Sequence, residues 1–474
     1  GLGGGFSNTN ELKVMKLDEA LRSDKKGWTK AVDEEHRRMV DNEVWTPVKM
    51  NDVPRGAKIL TSTWACKQKA SGVKRARMNG RGYEQVDGVH FDSSSVHSPV
   101  TNDISVRIVF VLGLMAGWKG YICDVRGAFL KGKLDEDKDE MYMHVPQGFE
   151  KFYPKDVVLK LQKALYGTKQ AAMAFWKELL KCMKDMKYNR NGADPCIYYK
   201  WTADGLAIWV SWVDDLMHWG PKDKVESEKT EVLSRFDCDD VGDVKEYVGC
   251  RVDMNENEGR MKLTQPVLLQ SFRDEFKLTT SRVPKTPAEA GTVLVAGSMD
   301  SKVGKVEHTY YRKGTGKLLH MTRWSRPEVQ NAVRELARQG AMPTMAHVKA
   351  MHRAMEYCVA TPDRGWLLSP RRKWDGKDRE FKFRIHGVSD SDYAKCPVSR
   401  RSVSGYSTFL EGTPVTVKSA MQKVVALSVT EAETIAGVQC AQDMMYVKRV
   451  LEGMGLQVEL PMVLSIDNSG AVDL

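Results

Sequence analysis

From residue 206 the chain reads Leu206-Ala-Ile-Trp-Val-Ser-Trp-Val-Asp-Asp-Leu-Met-His-Trp219. Two apolar, aromatic-rich runs enclose the adjacent acids Asp214 and Asp215. Runs of this composition predict two strands, with the acids at the tight turn between them. Like charges at a hairpin tip repel each other and cost folding free energy unless a cation stands between them or water reaches both. The pair is therefore either a divalent-metal site or an Asp-rich surface turn.

Other carboxylates favour the first reading. Asp124 closes the apolar run Gly120-Tyr-Ile-Cys-Asp124. An acid among residues expected to be buried needs a cation or several donors. Near the C-terminus, Phe381, Phe383 and Ile385 alternate in a strand that runs to Asp390. Residues 405–410 and 415–418 form two more strands around Glu411 and Gly412, and Ser428-Val-Thr-Glu431 is a capping box that opens a long helix. A fourth strand, 462–466, ends at Asp467. The order is βββαβ, with Asp390 and Asp467 at strand ends and Glu433 in the first turns of the helix. If the three converge on one side of the sheet they suit two metal ions, about 3.5–4 Å apart, around a scissile phosphate; otherwise Glu433 complements the helix dipole and the two Asp residues are loop residues.

The remaining segments predict a chain of several units. Trp28, Val32, Met39 and Val40 mark a helix, and 59–64 a strand. Residues 67–81 hold Lys67, Lys69, Lys74, Arg75, Arg77 and Arg81, as a solvated basic loop or as a phosphate contact. Residues 104–115 are an apolar helix, and 140–145 alternate as a strand. A helix opening after Gln170 carries the stripe Ala172, Phe175, Trp176, Leu179, Met183 and Met186. A charged helix covers 222–236, and 244–252 with 259–263 read as a hairpin. Residues 284–305 and 361–378 read as linkers. Between them lie two helices, one with Pro327 near its start and one starting near Thr344. Their outer faces are basic, with Arg334, Arg338, Lys349 and Arg353.

Composition narrows the partners. The 474 residues carry a net charge of +10, which favours a polyanion such as nucleic acid. No apolar run approaches the length of about 18 residues that a membrane helix needs. The nine cysteines are scattered, the closest pair being 12 apart (250 − 238), without a Cys-x-x-Cys. That pattern argues against structural zinc and for free thiols in a reducing compartment. The sequence starts Gly1-Leu2 without an initiator Met and stops seven residues after Asp467 (474 − 467). The expectation is a piece of a longer protein.

Many ordered segments then resemble the polymerase region of copia-type LTR retrotransposons, a reverse transcriptase followed by RNase H. They begin with Trp28-Thr-Lys-Ala-Val-Asp-Glu-Glu35, Asn42-Glu-Val-Trp45, Arg75-Ala-Arg77, Gly82-Tyr-Glu-Gln85 and Ser98-Pro-Val100. Asp124-Val-Arg-Gly-Ala-Phe-Leu130 resembles the first catalytic motif. Met141 to Phe149, Leu165-Tyr-Gly-Thr-Lys-Gln-Ala171, Trp212-Val-Asp-Asp215, Tyr247-Val-Gly249 and Ser325-Arg-Pro327 follow in family order. Ser389-Asp-Ser-Asp392, Arg400-Arg-Ser402, Ala426-Leu-Ser428, Thr430-Glu-Ala-Glu433 and Ile466-Asp-Asn468 resemble the RNase H signature.

The resemblance implies an α+β fold: a right-hand polymerase of fingers, palm and thumb, then a C-terminally truncated RNase H-like βββαβ domain expected to cut only feebly. It divides the chain into a loose segment 1–27, fingers and palm 28–255, thumb and connection 256–378, and RNase H 379–474. It implies RNA-directed DNA synthesis and removal of RNA from the hybrid. Asp124, Asp214 and Asp215 would hold two Mg²⁺ ions, with Mn²⁺ as the alternative, and so would Asp390, Glu433 and Asp467. Arg77, with Arg75 and Lys74 in reserve, would meet the triphosphate. Phe129 would gate the sugar, and Gln170 would pack near the nascent base pair. Arg334, Arg338, Lys349 and Arg353 would track duplex phosphates. The implied partners are an RNA template, a DNA or RNA primer, deoxynucleoside triphosphates and the RNA–DNA hybrid, with a dimer or other pol products such as integrase also open. The implied location is intracellular, in a cytoplasmic virus-like particle or the nucleus. The chain departs from the family pattern with Trp212 for Tyr, Ala172 and Met173 for Pro-Arg, Gly127 for Thr, and Thr434 for Tyr. The rival reading is a decayed or domesticated element that binds nucleic acid without catalysis.

Overall fold

A computed structural model describes residues 14–473 apart from 69–71, 95, 131, 133–139, 237 and 279–282. The expected basic residue Lys69 lies outside the described residues. The centre is a six-stranded antiparallel sheet. Its order is Cys238–Asp243, Lys119–Val125, Asp215–Gly220, Gly205–Trp212, Ile197–Thr202 and Asn189–Arg190. The strand Gly205–Trp212 is buried along almost its whole length because apolar layers cover both faces. On one side lies the helix Asp103–Ala116, capped at its start by the Asn102 side chain and ended by Gly117 in the left-handed region. On the other lie the helices Ala171–Asp185 and Lys222–Arg235, with Phe175, Leu179, Met183 and Val232 against the sheet.

The basic segment is not a loop. Lys74–Gly80 pairs antiparallel with Ser62–Gln68, and the helix Lys25–Asp41 buries Trp28, Ala31, Val32 and Met39 in the fingers core beneath them. The run 244–252 is likewise broken into two strands, Glu246–Tyr247 and Cys250–Asn255. Between them Val248 and Gly249 take positive φ angles of 48° and 76°, and the backbone reverses there.

The thumb holds two helices that its sequence concealed, Pro266–Phe276 and Lys305–Trp324. The second buries Gly314, Thr315, Lys317 and Thr322 beside Tyr311, Leu318 and Met321, so small and polar residues interrupt its apolar stripe. Lys317 can be buried because it donates to Ser271 (2.9 Å) and Glu275 (2.7 Å). Gly314 leaves room for the helix Met345–Ala360: a Cβ there would collide with Met351. The stretch 361–378 is no linker either. Trp366–Leu368 pairs with Arg260–Thr264, and Trp374 is buried edge-on to Trp118 at 5.5 Å. Its tryptophans anchor a segment whose Gly, Pro and charged residues suggested a loose one.

Residues 382–472 form the expected βββαβ unit. Its sheet order is Thr413–Met421, Val403–Leu410, Ile385–Asp392 and Val463–Ile466, the last strand parallel to its neighbour. The helix Val429–Glu452 starts at Ser428, whose Oγ accepts from the Glu431 N–H at 3.1 Å. The Glu431 carboxylate returns to the N–H of Leu427, one residue before the cap (2.6 Å). The molecule is thus α+β, a hand-shaped polymerase fold followed by an RNase H-like unit. One continuous apolar core joins Phe110, Trp219, Val252, Trp366, Leu410 and Val447 across both units. No helix among the described residues is long and apolar enough to cross a membrane.

Candidate active sites

The hairpin between Gly205–Trp212 and Asp215–Gly220 has a two-residue turn, Val213 and Asp214. Val213 sits at φ +57°, a region that a β-branched residue adopts only under strain of about 1–3 kcal/mol. The N–H of Val125 donates to the Asp214 carbonyl at 2.9 Å and pins the tip to the neighbouring strand. In register, Asp215 stands directly opposite Asp124, and Asp239 stands opposite Asp124 on its other side. Directly paired residues of adjacent strands project to one face with Cβ atoms about 4.5–5.5 Å apart. The sheet therefore presents a row of acids where the end of the strand Lys119–Val125 and the hairpin meet.

Electrostatics records the crowding. Burial, then Asp214 and Asp124, push the Asp215 carboxyl up to about 8. Burial and Asp214 also raise Asp124, while Arg75 and Arg77 pull it back. Asp239, which sequence reasoning did not single out, is bound by the Arg126 guanidinium. Its signal was faint: an acid after Cys238 in a run that does not alternate.

Strand alternation sorts the basic residues. Ala76 and Met78 are buried against the fingers core, so Lys74 shares their face and pairs with Asp24 at 2.7 Å beside Trp28. Arg75 and Arg77 take the opposite face, toward Asp124, and Arg77 stacks over the Tyr166 ring at 5.2 Å. Arg77 Nε is buried without a hydrogen-bond partner. Lys74 is thus not brought to the carboxylates. Phe129 lies edge-on to Tyr166 at 5.3 Å, half-buried, in the turn that Gly127 opens at φ +62°. A side chain at that φ would be strained, so glycine suits this departure from the family pattern. Gln170 is buried: it accepts from Gln85 (2.9 Å) and donates to the His90 carbonyl (3.1 Å). It braces the fingers and does not present an open amide. Trp212 packs on Trp324 at 5.5 Å, at the end of the thumb helix. Ala172 lines a cavity of about 190 Å³ beside Val213. A larger one, about 680 Å³, lies on the fingers around His36, Trp45 and Phe152 and holds none of these acids.

The second centre is tighter. Ligand oxygens of Asp390, Glu433 and Asp467 all lie within 4.8 Å of one another, the one such group among the described residues. Asp390 and Asp467 are exposed, whereas Glu433 is only 3% exposed. Ser391 donates to Glu433 Oε1 through its N–H (3.1 Å) and its hydroxyl (2.7 Å). Glu433 Oε2 is buried with no hydrogen-bond partner. An unmet buried carboxylate oxygen costs about 1–3 kcal/mol or more, and a divalent ion facing it would remove that cost. The donor set, hard oxygens only, fits Mg²⁺ or Mn²⁺.

The thumb arginines are engaged. Arg334 donates to Ser419 Oγ (3.0 Å) and pairs with Glu335 (2.7 Å). Arg338 pairs with the same Glu335 (2.9 Å) and donates to Cys396 Sγ (3.1 Å). Both face the RNase H-like unit, not outward, because the helix Gln330–Arg338 docks on the strand Thr413–Met421. Arg353 pairs with Glu289 at 3.0 Å, and Lys349 is exposed.

Residues 42–290 match the family model described as reverse transcriptase (RNA-dependent DNA polymerase), over half of the chain. The chain belongs to the reverse transcriptase family. Its relatives include Pol polyproteins of copia-type transposons. It is 30% identical over 98% of its length to the retrovirus-related Pol polyprotein from transposon TNT 1-94 of Nicotiana tabacum, covering 34% of that protein. It is 27% identical to that from transposon RE2 of Arabidopsis thaliana, over 96% of this chain and 30% of the relative. The chain thus spans about a third of the length of these curated relatives. Among solved structures, foamy viral protease-reverse transcriptase in complex with dsDNA aligns over 94% of this chain and 76% of that one, with TM-score 0.43 and 10% identity.

Proposed function

We propose that this chain is an RNA-directed DNA polymerase whose second unit cuts the RNA strand of the hybrid it makes. The observation that carries the reading is the row of Asp124 and Asp215 across the sheet, with Asp214 at a strained tip and Arg75 and Arg77 facing it. Acids packed this closely fit divalent cations, and cationic side chains opposite them fit the triphosphate of an incoming nucleotide. Two Mg²⁺ ions, when bound, would activate the primer 3′-hydroxyl and neutralise the leaving pyrophosphate. Asp124, Asp214 and Asp215 would hold them, Arg75 and Arg77 would orient the phosphates, and Phe129 would lie under the sugar. In the second unit Asp390, Glu433 and Asp467 would hold the ions for hydrolysis, with Ser391 fixing the Glu433 carboxylate. The net charge of +10 supports a nucleic-acid partner.

Primer extension tests this reading. An RNA template annealed to a DNA primer, with the four deoxynucleoside triphosphates and Mg²⁺, should give full-length DNA, and chelation should stop it. Salt-dependent binding of template-primer with no incorporation in Mg²⁺ or Mn²⁺ would instead identify a nucleic-acid binder.

A further inference from the structure

Arg107 is fully buried in the second turn of the helix Asp103–Ala116, yet its guanidinium reaches three other segments. Nε donates to the Val415 carbonyl of the RNase H-like sheet at 2.6 Å. Nη1 donates to the Arg323 carbonyl in the last turn of the thumb helix at 2.9 Å. Nη2 pairs with Asp103, whose other oxygen accepts from Arg323 Nε at 2.8 Å. The guanidinium also lies over the Trp366 ring, 4.1 Å from its centroid. The next thumb residue, Trp324, rests on Trp212, two positions before Asp214.

We propose that Arg107 is a positioning residue, the joint that holds the thumb and the RNase H-like unit in one orientation on the palm. A guanidinium cannot shed its proton in a protein. If either unit shifted away, the charge would lose an acceptor where water cannot replace it. Displacing either unit is therefore costlier with Arg107 in place than with the shared apolar core and the Arg334 contact alone. Resting on the function proposed above, a duplex that spans both carboxylate centres is then held in one register, and hybrid is cut at a fixed distance behind the primer end.

The test uses the full chain with Arg107→Met and Asp103→Asn together. Replacing a buried ion pair by an apolar side chain of similar size often leaves stability unchanged. Amide exchange across the helix Val429–Glu452 should rise at least about tenfold, with the palm strands unchanged, as expected when one unit opens separately. On template-primer, KM should rise about tenfold with kcat held, because placement and not chemistry is lost, and the single band of hybrid cuts should spread. Should the double variant not fold, Trp366→Leu removes the stacking surface and should give the same pattern. Unchanged exchange, KM and cut position in a folded variant would overturn the proposal and return Arg107 to a packing role. If the parent chain neither extends nor cuts, the functional reading fails, while the exchange result still decides the joint.

Discussion

At the scale of single residues, burial without partners marks the positions under most tension. His218 is fully buried between Tyr121 and Trp209, and neither ring nitrogen has a hydrogen-bond partner. Burial, with Lys200 nearby, pushes its pKa from 6.5 down to about 3. On acidification the unfolded ring takes up a proton first, so this contribution to stability is whole above about pH 6.5 and is lost as pH falls toward 3. At pH 5 the loss is about 2 kcal/mol. His218→Phe should remove that loss, flattening the pH dependence of denaturant midpoints between pH 7.5 and 5; an unaltered slope would mean the ring titrates normally. Phe129 carries a different expectation. Phe129→Ala should raise the ratio of ribo- to deoxynucleotide incorporation at least about tenfold, by opening space under the sugar, and an unchanged ratio would make it a core residue alone. Asp124 stood out in the sequence because a carboxylate closing an apolar run is costly unless a cation or several donors meet it, and Asp214 and Asp215 because adjacent like charges at a hairpin tip repel. Asp239 was not, since only the sheet register places it beside Asp124.

At the scale of elements, legibility followed apolar patterning. The hairpin around Asp214 and the helix of residues 104–115 stood out as near-continuous apolar runs, and the βββαβ order through the alternating Phe381, Phe383 and Ile385 and the capping box at Ser428. The helix Lys305–Trp324 was invisible because it buries Lys317, Thr315 and Gly314, which no periodicity rule counts as core. The segment 361–378 failed for the opposite reason: its anchors, Trp366 and Trp374, are few and far apart. The orientation of the basic strand was missed although alternation determines it. That alternation now yields a contrast. Arg75→Ala should raise the KM for deoxynucleoside triphosphates about tenfold, the loss expected for one charge-assisted contact. Lys74→Ala should leave KM alone and change stability little, because its pair with Asp24 is solvent-screened. Equal effects on KM would show that both residues reach the nucleotide.

At the scale of the whole molecule, two carboxylate centres sit on one continuous core, and the thumb is fastened to both units. No sequence pattern announces such a joint, because Arg107 reads as a lone charge in an apolar helix. Two centres on one body also make separable activities a strict expectation. Glu433→Gln should abolish cutting of the hybrid while extension continues, since its oxygens touch only the second centre. The most direct measurement is primer extension by Asp215→Asn beside the parent chain, on the same RNA template with Mg²⁺, with template-primer binding measured in parallel. Incorporation should fall by at least about a thousandfold, with binding kept or slightly tightened because one negative charge facing the phosphates is gone. Extension by Asp215→Asn at near the parent's rate would contradict the assignment of these acids as the polymerase centre.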